Sequence, residues 1–181
     1  MPLYLQRPAE GEYSPYFERY ISLVPDGDII EMLARNADTL IALVRQQPPE
    51  VADYAYADGK WTVKEVIGHL CDAERVFAYR LLCFARADQT PLPGFDENAY
   101  VPAGRFGERT LESLLQEFAA VRQASIALVA GLPEEAWSLS GIANNAPMSA
   151  RAAAYTILGH ELHHRNILIN RYFSGSPIAS V

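Results

Sequence analysis

The sequence predicts an all-α protein, a four-helix bundle with long crossover connections plus an N-terminal arm. Three observations carry that expectation. Four stretches place apolar residues at helical spacing, no stretch alternates at period two, and the links between the helices are long. The 181 residues are 50% apolar and 20% charged, the composition of one globular domain with enough core to fold without staples. We divide the chain into an arm over residues 1–27, packed on the domain, and a bundle over residues 28–181.

The arm holds Pro2, Pro8, Pro15 and Pro25, a density that blocks a long regular element. Its aromatic cluster, Tyr13, Tyr16, Phe17 and Tyr20, favours burial, with one short helix expected within residues 14–23. The first long helix covers about residues 28–46. Ile29, Met32, Leu33, Leu40, Leu43 and Val44 form its apolar stripe, and Pro48-Pro49 end it. The second opens at Thr62-Val63-Lys64-Glu65, a capping-box pattern, and continues to about residue 87. The third covers residues 110–131 with Leu111, Leu114, Leu115, Phe118, Val121, Ile126 and Val129. The fourth covers residues 149–173, where Ser174-Gly-Ser-Pro stops it. The links 47–61, 88–109 and 132–148 are long enough for crossovers, and loops of that length are often functional. The stretch 91–100 stands out among them. No strand is expected.

Fifteen basic against twenty-two acidic side chains leave a net charge of −7, which argues against a nucleic-acid partner or an anionic membrane surface. The first residues carry no apolar leader, and no run approaches the roughly 20 apolar residues of a spanning helix. Cys71 and Cys83 fall on one helix, about 18 Å apart and beyond disulfide reach. Reduced thiols and a cytoplasmic location are expected.

The four histidines are the most informative residues. Three lie in His160-Glu161-Leu162-His163-His164 on the fourth helix, and His69 lies on the second. At about 100° per residue, His160 and His164 point within about 40° of each other. They share a side with Ala153, Ile157, Ile167 and Leu168. His69 projects with Val66, Ala73, Val76, Phe77 and Phe84. Two helices thus direct three imidazoles toward one interior, where a hydrogen-bonded core histidine is the plain alternative. Neutral imidazole suits zinc, nickel, copper or iron, and three such ligands leave an open position for water or substrate. His163 falls off this face and reads as a surface or interface residue. The segment also matches the zinc-protease pattern His-Glu-x-x-His. That reading is set aside, because after Glu161 no Asp or Glu follows, and no His except His163 and His164.

Trp61-Thr-Val-Lys-Glu-Val-Ile-Gly-His69-Leu-Cys-Asp-Ala-Glu-Arg75 and Gly159-His-Glu-Leu-His-His-Arg-Asn-Ile167 together resemble the DinB/YfiT-like superfamily. Pro93-Gly-Phe-Asp-Glu-Asn-Ala-Tyr100 and Glu12-Tyr-Ser-Pro-Tyr16 look similar to one of its subfamilies. The resemblance implies a bundle of unusual crossover connectivity, commonly a homodimer. It also implies a divalent metal, zinc or nickel, held by His69, His160 and His164. Characterised relatives are S-transferases and isomerases that use low-molecular-weight thiols such as bacillithiol or mycothiol, so a thiol co-substrate and an electrophile are the implied partners. Other relatives have no established activity, which leaves a non-catalytic, damage-inducible metal-binding protein as the alternative and a His-Glu-x-x-His metallohydrolase as a remote one.

The expected nucleophile is a metal-bound thiolate or water, since a coordinating thiol is deprotonated. No protein side chain is assigned as the catalytic group. Asp72 and Glu65 are candidates to orient His69, with solvated surface or capping as their other reading. Arg80, on the His69 face, either meets a substrate carboxylate or pairs with an acidic neighbour. Trp61 and Phe95 read as packing residues. A second apolar stripe on the fourth helix, Tyr155, Leu158, Leu162 and Ile169, is covered either by the arm or by a second subunit.

Overall fold

A computed structural model describes residues 5–174. Residues 1–4 of the expected arm and 175–181 of the expected bundle, including Gly175 and Pro177 of the predicted helix stop, lie outside the described residues.

The arm carries a short helix, α1 (Glu18–Ile21), entered through a single tight turn at Pro15–Phe17. Arg7 holds the arm's return by donating to the carbonyls of Ile21 at 2.8 Å and Val24 at 2.6 Å. Four long helices and one short helix follow: α2 (Ile29–Arg45), α3 (Val63–Ala85), α4 (Glu97–Ala103), α5 (Leu111–Ala130) and α6 (Ala150–Ile167). Each long helix starts where the sequence supplies a cap. Asp28 accepts from the amides of Ile30 and Glu31, Thr110 from Ser113, and Ser149 from Ala152. At Thr62 the capping box is complete, with Glu65 reaching back to the Thr62 amide. The ends of α2, α3 and α5 fall within two residues of those expected. α6 gives way after Ile167 to a wider π-helical turn, Leu168–Phe173.

α3 packs against α5 and α6, and α2 packs against α5 and α6. The first long helix therefore takes the third as its main neighbour, and the links cross the bundle. α3 and α6 each pass between two apolar clusters. One gathers Ile21, Phe77, Phe84 and Leu158, the other Leu40, Leu70, Phe118 and Leu168. His69 lies near that transition on α3, and His164 near it on α6.

The expectation of no strand is corrected. Ser140–Ala143 (β1) and Ala146–Ser149 (β2) pair antiparallel. Asn144 and Asn145 both take left-handed φ, 50° and 59°, the geometry of a two-residue hairpin turn and one that Asn tolerates. This hairpin gathers the flanking segments. Leu92 donates its amide to Ile142 and accepts from Asn144, and the Ser149 amide donates to the Glu12 carbonyl.

α1 lies directly on α6. A Cβ on Gly159 would stand 2.1 Å from the Tyr20 carbonyl oxygen, so the contact needs glycine beside His160. Tyr155 donates to the Leu5 carbonyl at 2.9 Å. The arm thus covers the second stripe of α6 at Tyr155, Leu158 and Leu162, all buried, while Ile169 stays exposed. Among the described residues no helix is long and apolar enough to cross a membrane.

Candidate metal centre

His69 sits in the second turn of α3, and His160 and His164 stand one turn apart in the second half of α6. The packing of α3 on α6 brings the three rings together. Nε2 of His69 faces Nε2 of His160 at 3.1 Å. Ring centroids are 4.9 Å apart for His69–His160 and His69–His164, and 4.5 Å for His160–His164. One nitrogen from each ring lies within 4.8 Å of the other two. Tetrahedral ligands about 2.0–2.1 Å from a zinc ion would stand about 3.3 Å from one another. The trio therefore suits one shared ion after small ring rotations.

The electrostatics agree. Burial lowers His69 to about 4. His160 and His164 are pushed well below the usual imidazole range, first by burial and then by neighbouring rings. All three are neutral near pH 7, the form that ligates. Apart from the His69–His160 contact, none of the three has a hydrogen-bond partner among the described residues. A satisfied core histidine would have one.

The rings form the floor of a cavity of about 280 Å³. Trp61 stacks beside His69 at 4.8 Å. Tyr20 meets His160 and His163 edge-on, each at 5.2 Å. Trp61 and Phe95, expected as packing residues, both line this cavity, and so does His163. The arm's Tyr16, Phe17 and Tyr20 also line it; their clustering in the sequence marked them for burial but not for this site. Arg80 is in the wall and has no acidic partner within 4.0 Å among the described residues, so it does not pair with a neighbour.

Glu65 and Asp72 are not brought to the rings. Glu65 is engaged in its capping box, accepting from the Thr62 amide at 2.7 Å. Asp72 faces Arg75 at 3.8 Å, and burial raises its carboxyl. Helical spacing turns Glu161 about 100° away from His160, and Glu161 is 1% exposed and accepts from Arg122 at 2.8 Å. It is absent from the cavity wall. The buried network of Arg122 with Glu74 and Glu161 was missed, although Arg122 shares the apolar face of Leu115, Phe118 and Val129.

A family model described as the DinB superfamily matches residues 32–168, a span that contains all three rings. No curated protein matches. Among solved structures, the fold is similar to that of YfiT from Bacillus subtilis, described as a probable metal-dependent hydrolase with an unusual four-helix bundle topology. The TM-score is 0.70 over 93% of each chain, at 17% identity. At that identity the likeness speaks for the fold alone.

Proposed function

The chain belongs to the DinB superfamily, and from that premise we propose that it is a metal-dependent S-transferase. His69, His160 and His164 would hold a divalent cation, zinc or nickel, where their rings line the cavity. The observation that carries this reading is the convergence of three neutral imidazole nitrogens, otherwise without protein partners, on the floor of a cavity. When bound, such a cation lowers the pKa of a thiol or water at its open position and so supplies the nucleophile.

The chain's own residues do the rest. The helical spacing of His160 and His164 orients two rings, and α3 presents the third. Tyr20, Trp61 and Phe77 wall the site and exclude water, which strengthens electrostatic interactions inside it. A thiol sulfur attacks an electrophilic carbon, a carbon–sulfur bond forms, and the leaving group departs with its electron pair. The thiol proton goes to solvent.

Hydrolysis is the second reading, favoured by what the YfiT structure is described as. The same cation would activate a water for it, with Glu97 as a carboxylate in the cavity wall and Glu161 committed to Arg122. We place thiol transfer first because the characterised relatives that the sequence resembles use thiols.

The test is to supply the zinc-loaded chain with a small thiol and 1-chloro-2,4-dinitrobenzene. Thioether should form at a rate that depends on both metal and thiol, and His160→Ala should abolish it. Ester hydrolysis without thiol consumption, and no thioether with any small thiol, would replace this reading with the second.

A further inference from the structure

Arg80 is a buried cation without a counter-charge. It stands three turns along α3 from His69, on the same face, and is 4% exposed. Its Nη2 donates to the Pro93 carbonyl at 3.0 Å, its one hydrogen bond among the described residues, whereas a guanidinium carries five N–H donors. No carboxylate among the described residues lies within 4.0 Å of it. Arg122, the other buried arginine, shows the contrast. Two carboxylates and the Leu33 carbonyl take its donors. A buried charge left unpaired is costly, and burial lowers the pKa of Arg80 accordingly. Arg80 borders the cavity.

The position is defined as well as the charge. The Arg80 guanidinium carbon is 5.6 Å from the centre of the Phe77 ring, and that ring is 5.7 Å from the ring of His160. Guanidinium and imidazole are therefore no more than about 11 Å apart by way of Phe77. Among the described residues Arg80 is the one arginine or lysine in the cavity wall, which also holds the carboxylate of Glu97. One guanidinium matches a monoanion in bidentate geometry, whereas a dianionic phosphate would keep uncompensated charge there.

We propose that Arg80 is a carboxylate-binding subsite, and that the substrate bound in this cavity is a small carboxylic acid whose anionic group seats on Arg80. The placement of its reacting atom at the histidine end rests on the function proposed above; the subsite itself does not. Arg80 sets specificity, and the chain length between the carboxylate and the reacting atom is limited to a few bonds.

The experiment titrates the zinc-loaded full chain calorimetrically with 3-mercaptopropionate and with its methyl ester. The acid should bind at least about tenfold tighter, the discrimination expected of one charge-assisted pair. Arg80→Met should erase the preference and leave ester affinity and zinc content unchanged. Equal affinity of the parent for acid and ester, or an acid preference that survives in Arg80→Met, overturns the proposal. A second arm titrates the metal-free chain with propionate and propionamide by NMR. Preference for propionate there, lost in Arg80→Met, supports the subsite even if the chain takes up no zinc. Stoichiometric zinc with no acid preference rejects Arg80 and leaves the metal reading standing.

Discussion

Arg122 donates Nη1 to Oε2 of Glu161 at 2.8 Å, so the acidic residue of the His-Glu-x-x-His segment serves the interior of the bundle and not the cavity. The same guanidinium grips both oxygens of Glu74 and ties α3, α5 and α6 together. Breaking a buried ion pair from one side strands its partners. Arg122→Met should cost about 3–5 kcal/mol in urea unfolding, because two carboxylates lose their cation. Glu161→Gln should cost far less and leave metal content unchanged. Loss of metal in Glu161→Gln would restore this residue to the site.

The imidazoles make the metal-free protein acid-sensitive. His69 is lowered from 6.5 to about 4 by burial, so between those values the unfolded chain binds a proton that the folded chain refuses. Stability should therefore fall as pH drops from 6.5 toward 4. His69→Gln should flatten that slope. Denaturant midpoints measured across the range for both chains check it.

The arm has its own acid limit. Glu12 is held at about 2, chiefly by the hydrogen bonds from Arg151, with Ser149 adding another at 2.7 Å. A depressed carboxyl contributes stability above its ordinary value near 4.5, and that contribution is lost as pH falls toward 2. Arg151→Gln should move the loosening of the arm to higher pH, read by hydrogen exchange in the arm and in β2.

Gly159 sets how closely the arm approaches the site. Gly159→Ala places a methyl group against the Tyr20 carbonyl and must push α1 off α6. A loss of about 1–3 kcal/mol is expected, as for overpacking elsewhere. Because Tyr20 and Trp61 line the same cavity, fluorescence of Trp61 should shift too. An unchanged midpoint and spectrum would mean that the arm yields freely.

The four long helices were legible because each carries a side-chain cap and an apolar stripe, as Asp28 and Ile29 do for α2. The convergence of the histidines was legible because helical spacing alone sets the direction of His69, His160 and His164. The hairpin was not: its strands are four residues long, Pro147 sits in β2, and Asn144-Asn145 lies outside the usual Gly-containing turn pairs. The partner of Glu161 was hidden for a different reason. Arg122 is 39 residues away on another helix, and a wheel drawn for one helix does not report which neighbour meets it. The cavity wall was equally hidden, since Trp61, Phe95 and the arm aromatics meet only after the links have crossed the bundle.

The most direct measurement is the metal content of the purified chain beside His69→Ala, His160→Ala and His164→Ala, each checked for folding by circular dichroism. About one divalent ion per chain is expected in the parent, as for one open three-ligand site, with loss from every variant that remains helical. Full metal content in any of the three folded variants would contradict the shared site.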